Sequence, residues 1–292
     1  MKKILVTGKN SYVGSSIENW LLKSSGNYKI DTIDMEDSSW IEHDFSKYDI
    51  VFHVAGIAHV SSDPSKKELY YKVNRDLTIE TAKKAKNEGV KQFIFMSSII
   101  VYGASSQINN ERIIHELTKP EPQDFYGDSK LQAEEGLEEL RDDNFKVVIL
   151  RPPMIYGKDS KGNYPKLAKL ARYTPIFPDI DNKRSMLHID NLSEFVRLMI
   201  ENEEDGLFFP QNKEYVSTKI LVKEIASVYN HKIIFTKLFN KILFLMSKKV
   251  NLINKVFGDL VYKKEMSEYK EDYWVRDFKE SIQITEGRDE FS

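Results

Sequence analysis

The alternation of short apolar runs with longer stretches of helical periodicity is the feature that most constrains the fold of this chain. Helical periodicity is clearest over Lys66–Asn87 and Tyr126–Leu140. Apolar runs of strand length separate such stretches: Lys3–Thr7, Tyr28–Ile33, Ile50–Val54, Gln92–Met96 and Lys146–Leu150. Strands that alternate with helices favour a parallel sheet with helices on both of its faces. The sequence therefore predicts an α/β fold with a doubly wound parallel sheet.

The carboxyl ends of these predicted strands carry residues that suit a binding site. In open parallel sheets, ligands bind at that edge. The residues at or just beyond the strand ends are Gly8, Asp34, Ala55, Ser97 and Arg151. We therefore expect one site there, built from several strands.

The pattern loosens after Arg151. Turn-rich pieces at 158–164 and 178–182 alternate with short helical stretches, and the tail from about Glu265 is polar. We predict a first domain of residues 1–151. A smaller, partly interleaved C-terminal lobe of residues 152–292 follows, and some of its segments return to the first domain.

Charge and cysteine content exclude several function classes. The formal net charge of −2 provides no strong field for nucleic acid, so no nucleic-acid partner is expected. The chain has no cysteine, which excludes disulfides, thiolate nucleophiles and cysteine-based zinc sites, and no metal site is predicted. This composition fits a reducing compartment, and we expect a cytoplasmic protein. No apolar stretch reaches transmembrane length, so stable membrane insertion is not expected.

One late segment combines apolar residues with lysines. The run Ile242–Met246 is flanked by Lys237, Lys241, Lys248 and Lys249. We interpret the segment 237–249 as a helix that packs one face on the core. The alternative is a basic amphipathic helix that lies on a membrane surface.

The segment Thr7–Gly14 follows the first predicted strand and opens the first predicted helix. A turn without bulky side chains lets backbone N–H groups approach a pyrophosphate, and the helix N-terminus adds a favourable dipole. Asp34 ends the second strand, twenty residues past Gly14, where a carboxylate can accept hydrogen bonds from an adenosine ribose and repel a 2′-phosphate. No basic residue occurs in Met35–Asp37, so NAD is favoured over NADP. The alternatives are a tight turn without ligand and a solvated aspartate.

Tyr126 and Lys130 stand four residues apart at a predicted helix start that Asp124 could cap. This spacing places both side chains on one helix face. A neighbouring ammonium and a cationic nicotinamide favour the phenolate of Tyr126, which makes the tyrosine a usable acid or base at neutral pH. Ser98 ends the fourth strand, where its hydroxyl could orient a substrate oxygen. The alternative is an ordinary surface pair on a helix.

Six segments together resemble one protein family. They are Thr7–Gly14, Val51–Gly56, Phe93–Gly103, Tyr126–Lys130, Ile149–Gly157 and Arg184–Leu192. Their order resembles that of the extended short-chain dehydrogenases/reductases, in the NAD-dependent epimerase/dehydratase family. Ser11 departs from the family pattern, since it stands at the middle glycine. The resemblance implies a Rossmann-type dinucleotide-binding domain and a substrate-binding lobe, and it allows a homodimer that packs the helices over Lys66–Asn87 and Tyr126–Leu140.

The resemblance also implies roles for individual residues. The implied catalytic residues are Ser98, Tyr126 and Lys130. The implied dinucleotide-binding residues are Gly8, Ser11, Tyr12, Val13, Gly14, Asp34, Asp44, Phe45, Val54, Ala55, Gly56, Asn74, Ser97, Tyr126, Lys130 and Pro153. The implied contacts to a UDP-sugar come from Ser98, Tyr126, Asn163 and Arg184. Arg184 would clamp the diphosphate, because a guanidinium offers bidentate donors and keeps its charge.

Three functions share this pattern. Ile99 and Ile100 stand where 4,6-dehydratases of the family carry an acid and a base, which argues against dehydration. The chain is short for an epimerase, and Phe145–Gly157 resembles bacterial capsule and O-antigen enzymes that reduce UDP-4-keto-6-deoxy-N-acetylhexosamines. Both features favour a 4-ketoreductase in surface polysaccharide biosynthesis. The first alternative is a 4-epimerase of UDP-hexose or UDP-N-acetylhexosamine with tightly bound NAD. The second, a non-catalytic dinucleotide-sensing protein, conflicts with the intact Ser98, Tyr126 and Lys130.

Overall fold

A computed structural model describes residues 1–24, 27–58 and 63–287 of the chain. The chain forms two compact units, each made of three chain segments. The first unit comprises Met1–Gly103, Lys119–Pro152 and Leu192–Pro210. The second comprises Ala104–Thr118, Pro153–Asn191 and Gln211–Ser292.

Strands and helices alternate through most of the described chain. The strands are β1 (Lys2–Thr7), β2 (Tyr28–Ile33), β3 (Ile50–His53), β4 (Gln92–Met96), β5 (Ile113–Ile114), β6 (Lys146–Leu150), β7 (Met154–Tyr156), β8 (Ile176–Pro178), β9 (Met186–His188), β10 (Gly206–Phe208), β11 (Ile234–Thr236) and β12 (Val261–Tyr262). The α-helices are α1 (Tyr12–Lys23), α2 (Lys67–Tyr70), α3 (Leu77–Asn87), α4 (Phe125–Glu138), α5 (Asn163–Tyr173), α6 (Ile189–Glu201), α7 (Thr218–Val228), α8 (Asn240–Ser247), α9 (Asn251–Phe257) and α10 (Phe278–Thr285). Short 3₁₀ helices cover Ser38–Ile41, Pro64–Lys66, Ile99–Tyr102 and Lys264–Ser267, and a π-helix covers Tyr71–Asp76.

The first unit is built on a parallel six-stranded sheet in the order β10-β6-β4-β3-β1-β2. Its inner strands are apolar along their length because helices cover both faces; Ile4, Leu5 and Val6 of β1 are all buried. The predicted α/β fold with a Rossmann-type doubly wound sheet is therefore confirmed. The chain places β2 on one side of β1 and β3 on the other, and such a switch in direction opens a crevice at the strand ends.

The sheet holds one strand that the sequence analysis did not predict. β10 has only three residues and pairs with β6 through Gly206–Val148, Leu207–Ile149 and Phe208–Leu150. So short a run contains no alternation that could distinguish a strand from a loop.

The second unit contains three two-stranded parallel pairs, β5–β12, β7–β9 and β8–β11. Its apolar core includes Tyr164 of α5, Val222 and Ile225 of α7, and Ile282 of α10. The polar tail that begins near Glu265 includes the helix α10, which buries Ser281 and Ile282. Within the described residues, no helix is both long enough and apolar enough to cross a membrane.

Candidate active site

The turn between β1 and α1 requires glycine at two places. Gly8 has a φ of +95°, and a Cβ atom there would lie 3.0 Å from the backbone nitrogen of Ala55. A Cβ atom on Gly14 would lie 3.1 Å from a methyl carbon of Val54 and closer still to the hydroxyl of Ser11. Glycine at these positions brings the start of α1 close to the end of β3. The backbone N–H groups at the helix start can thus approach an anionic ligand.

Ser11 is the N-cap of α1. Its Oγ atom accepts a hydrogen bond from the N–H of Gly14 at 3.1 Å, which satisfies one of the donors at the helix start. The serine thereby stabilises the turn in which it replaces the family's middle glycine. Its contact with a pyrophosphate stays a prediction.

Asp34 lies beside the glycine turn, at the end of β2. The N–H groups of Gly8 and Lys9 both donate to the carbonyl oxygen of Ile33, at 3.0 and 3.1 Å. The carboxylate of Asp34 is exposed and accepts from the N–H of Glu36 at 2.9 Å. A helix start for a pyrophosphate and an adjacent carboxylate for a ribose fit a dinucleotide without a 2′-phosphate.

Asp44 and Phe45, which were also predicted to contact the dinucleotide, form hydrogen bonds with other residues of the protein. The exposed carboxylate of Asp44 accepts from the N–H and the hydroxyl of Ser46, and these hydrogen bonds hold its pKa below the usual value. Phe45 is buried in the core, and its N–H donates to Glu88 at 2.6 Å. The roles of Asp44 and Phe45 near an adenine remain predictions.

A π-helical turn places Asn74 inside the first unit. The predicted helix over Lys66–Asn87 is divided into α2, the π-helix and α3, and π turns often occur at functional sites. The buried Asn74 amide accepts from the N–H of Ile57 at 2.9 Å and donates to its carbonyl at 3.0 Å. Asn74 therefore fixes the loop that follows Gly56.

The start of α4 brings Tyr126 to Ser98. Asp124 caps α4 by accepting from the N–H of Gly127 at 2.9 Å, as predicted for a helix start. A Cβ atom on Gly127 would lie 2.8 Å from the carbonyl oxygen of Ile100, so glycine allows the helix to approach the segment after β4. Ser98 is close enough to the hydroxyl of Tyr126 to lower the pKa of that hydroxyl. An alcohol and a phenol thus meet at the carboxyl edge of the sheet.

The protein alone favours the protonated form of Tyr126. Burial raises the pKa of Tyr126 to about 12, and Ser98 offsets only part of that rise. The Nζ atom of Lys130 donates to the carbonyl oxygen of Met96 at 2.8 Å. By itself, the protein keeps the phenol of Tyr126 protonated at neutral pH. The phenolate expected beside Lys130 and a cationic nicotinamide stays a prediction.

The side chain of Lys130 is buried in the first unit. Its Nζ atom lies 4.6 Å from the ring centroid of Phe95, and a Cβ atom on Gly56 would approach it to 3.3 Å. Burial lowers the pKa of Lys130 to about 8, although Glu134 raises it. The ammonium is therefore held in the protein at a substantial cost in desolvation.

Replacing Lys130 by methionine is expected to stabilise the protein at neutral pH. The fall of the pKa from 10.5 to about 8 means that the buried ammonium destabilises the folded protein by about 3 kcal/mol. The variant avoids this cost but loses the hydrogen bond to Met96, which reduces the gain in stability by about 1 kcal/mol. Between pH 8 and 10.5 the unfolded chain binds more protons at Lys130 than the folded chain does, so the penalty shrinks as the pH rises. The gain of the variant should shrink over the same window.

Thermal unfolding near neutral pH and again above about pH 10 measures this difference. The control is Lys83→Met, which removes an exposed lysine from α3. A Lys130→Met protein that is less stable than the unaltered chain at neutral pH would contradict the prediction.

Glu134 and Arg151 form a buried ion pair in the first unit, which the sequence analysis missed. The Nε atom of Arg151 donates to both carboxylate oxygens of Glu134 at 3.1 Å, and the guanidinium also donates to the hydroxyl of Tyr102 at 2.6 Å. The hydroxyl of Ser97 donates to Glu134 as well. Glu134 follows Lys130 by four residues on the same face of α4, and this spacing was the available signal.

The predicted substrate residues Asn163 and Arg184 belong to the second unit. Asn163 is the exposed first residue of α5. The Arg184 guanidinium donates to the hydroxyl of Ser105 at 2.7 Å and to the carbonyl of Gly258 at 3.2 Å. Burial lowers the pKa of Arg184 to about 10, so it stays cationic at neutral pH. Pro153, predicted to contact the dinucleotide, is buried at the start of the same chain segment.

Comparison with known proteins identifies the family of this chain. The profile of the NAD dependent epimerase/dehydratase family matches residues 4–210. Over 248 residues the chain is 31% identical to the UDP-glucose 4-epimerase of Vibrio cholerae, which covers 77% of this chain and 75% of that protein. Over 208 residues it is 30% identical to the N-acetyl-alpha-D-glucosaminyl-diphospho-ditrans,octacis-undecaprenol 4-epimerase of Escherichia coli O157:H7, which covers 68% of this chain and 60% of that protein.

A solved structure shares the fold. The UDP-glucuronic acid 4-epimerase of Bacillus cereus, in complex with NAD, matches with a TM-score of 0.74 and 18% identity. The match covers 98% of this chain and 96% of that one. At this identity the likeness shows the fold alone.

Proposed function

We propose, because the chain belongs to the NAD-dependent epimerase/dehydratase family, that it is an NAD(P)-dependent enzyme that acts at C4 of a nucleotide-activated sugar. One observation carries the proposal: Tyr126 meets Ser98 at the same sheet edge as the glycine turn of Gly8 and the carboxylate of Asp34. Residues for proton transfer and residues for dinucleotide binding at the same sheet edge suit the interconversion of an alcohol and a ketone.

The residues of the first unit would divide the work as follows. The nicotinamide, when bound, supplies or accepts the hydride. The Tyr126 hydroxyl gives a proton to the O4 atom of the sugar during reduction. During oxidation its phenolate, which a cationic nicotinamide would favour, takes the proton from O4. Ser98 orients the same oxygen through its hydroxyl. Lys130 binds the nicotinamide ribose, and the buried Glu134–Arg151 pair fixes the helix that carries Lys130.

In the second unit, we propose that Arg184 binds the substrate diphosphate. Its hydrogen bonds to Ser105 and Gly258 fix the guanidinium plane. A guanidinium held in one orientation offers paired N–H donors and a positive charge, which suit a diphosphate. Asn163, exposed at the start of α5, would contact the sugar nucleotide as the family pattern implies.

Two reactions at C4 compete. Reduction of a UDP-4-keto-6-deoxy-N-acetylhexosamine rests on the resemblance of Phe145–Gly157 to reductases of surface polysaccharide biosynthesis. Epimerisation of a UDP-hexose or UDP-N-acetylhexosamine rests on the 31% identity to a UDP-glucose 4-epimerase over 77% of this chain. The second observation covers far more of the chain than the first. Dehydration is disfavoured, because Ile99 and Ile100 follow Ser98 directly and neither can carry a proton.

One experiment separates these reactions. The purified protein is mixed with NADH or NADPH and enzymatically prepared UDP-4-keto-6-deoxy-N-acetylglucosamine, and the nicotinamide absorbance is followed. Stoichiometric loss with a new UDP-6-deoxy sugar would establish the reductase. Interconversion of UDP-hexoses or UDP-N-acetylhexosamines without added reductant would establish the epimerase. Dinucleotide binding without either reaction would leave the dinucleotide-sensing function.

Replacing Asp34 by alanine is expected to weaken NADH binding by about tenfold, because the lost contact is a charge-assisted hydrogen bond to the ribose. NADPH binding should weaken less or improve, since the carboxylate that repels a 2′-phosphate is gone. Fluorescence titration with both dinucleotides gives the two dissociation constants. Glu42→Ala, at an exposed carboxylate in the same region, is the control. Equal effects on NADH and NADPH would refute the assigned role of Asp34.

A further inference from the structure

The helix α8 is apolar on both of its sides. Leu243 and Phe244 pack against the core of the second unit. On the opposite side, Leu238 just before the helix is 77% exposed, Ile242 is 59% exposed and Leu245 is 63% exposed. A helix that is apolar all round is ordinarily buried on all sides, so the outer side of α8 lacks the cover that its composition predicts.

The helix α9 extends the same apolar surface. Its inner residues Ile253 and Val256 pack against the core, whereas Leu252 is 66% exposed. The side chain of Asn254 donates to the carbonyl oxygen of Ser247 at 2.8 Å, which joins α9 to the end of α8. We call the exposed residues of the two helices the α8–α9 surface: Leu238, Ile242, Leu245, Met246 and Leu252.

The charged residues of the segment that contains α8 and α9 all have one sign. Residues 237–258 contain no aspartate or glutamate. Their lysines are all exposed: Lys237, Lys241, Lys248, Lys249 and Lys255. The whole chain carries a formal net charge of −2, so this concentration of positive charge is local.

We propose that the α8–α9 surface docks on an anionic membrane surface. Leucine and isoleucine side chains would enter the boundary between headgroups and acyl chains, while lysine stems extend along them and place their ammonium groups at lipid phosphates. Lysine is depleted at protein–protein interfaces, whereas clustered lysines beside an amphipathic helix are typical of contact with anionic lipid. The proposal goes beyond the proposed enzyme function and does not depend on it.

Co-sedimentation with lipid vesicles tests the proposal. The full chain should bind vesicles of equal parts phosphatidylglycerol and phosphatidylcholine, and this binding should weaken as salt is added. Pure phosphatidylcholine vesicles should bind it much less. The double variant Lys248→Glu/Lys249→Glu should lower the partition coefficient by at least about 30-fold, since each lysine near an anionic surface contributes about fivefold. Leu245→Glu should also release the protein.

Matched controls come from the same unit. Leu117 is 86% exposed outside the α8–α9 surface, so Leu117→Glu changes an exposed leucine elsewhere. Lys166 and Lys169 are exposed on α5, so Lys166→Glu/Lys169→Glu changes the net charge equally. Binding that is unchanged by both controls, but lost in both α8–α9 variants, supports the proposal.

Three outcomes would overturn it. The first is no difference between anionic and neutral vesicles, and the second is equal loss in the variants and their controls. The third is self-association through the α8–α9 surface, seen as a larger species in sedimentation velocity that Leu245→Glu dissolves, without vesicle binding. Unchanged melting temperatures show that the variants fold. Dinucleotide affinity, which should not change in Leu245→Glu, separates a failure of this proposal from a failure of the proposed function.

Discussion

Replacing Tyr126 by phenylalanine is expected to lower turnover by about a thousandfold or more, because general acid–base catalysis contributes about 10²–10⁴-fold and no other hydroxyl replaces the phenol in its contact with Ser98. Dinucleotide affinity should stay within about twofold, since the substitution removes one hydroxyl from a half-buried side chain. Steady-state kinetics on whichever reaction the chain catalyses, together with a fluorescence titration of NADH, measures both quantities.

The control for this prediction is Tyr71→Phe. Tyr71 also donates its hydroxyl to a residue of α4, the carboxylate of Asp128, at 2.5 Å, and it lies on the π-helix. This variant should keep kcat within about twofold. Undiminished turnover in Tyr126→Phe would remove Tyr126 from the mechanism, whatever the control shows.

Replacing Arg151 by methionine is expected to destabilise the protein by about 3–5 kcal/mol, because it leaves the carboxylate of Glu134 buried without its cation. Both partners are almost fully buried, so water cannot replace the lost ion pair. In a chain of this size, the melting temperature should fall by about 10 °C. Differential scanning calorimetry of the variant and the unaltered protein measures the change.

The double variant Glu134→Leu/Arg151→Met tests the reason for this loss. It should be more stable than Arg151→Met alone, because it removes the buried carboxylate that the single variant leaves without its guanidinium partner. Arg141→Met, which breaks a pair with the exposed Glu138, should cost at most about 1 kcal/mol. If the double variant is no more stable than Arg151→Met alone, the cost comes from lost packing rather than from the buried carboxylate.

Much of the first unit could be predicted because its signals are local. Each of the five predicted strands is a continuous apolar run, and helices between such runs specify a parallel sheet. The spacing of Tyr126 and Lys130, with Asp124 before them, likewise reports a helix start directly. Local patterns of this kind survive in the fold because tertiary packing agrees with them.

Other features depend on partners that are distant in the sequence. The Glu134–Arg151 pair joins α4 to the end of β6. β10 is a strand because it pairs with β6, and its own three residues do not predict one. The pKa of Tyr126 is another such feature. It depends on the burial of the hydroxyl, which does not follow from spacing.

The three-segment construction of the first unit has a consequence for the order in which the protein can fold during synthesis. When the ribosome has released residue 152, strands β1 to β4 and β6 are present, but the outer edge of β6 still lacks β10. The side chain of Gln92, which donates to the carbonyls of Met199 and Glu204 at 2.9 Å, lacks its acceptors as well. An unpaired sheet edge invites pairing with other chains. The nascent protein must therefore carry this exposed edge until residues 192–210 emerge, and truncation at the end of β6 would make that hazard permanent.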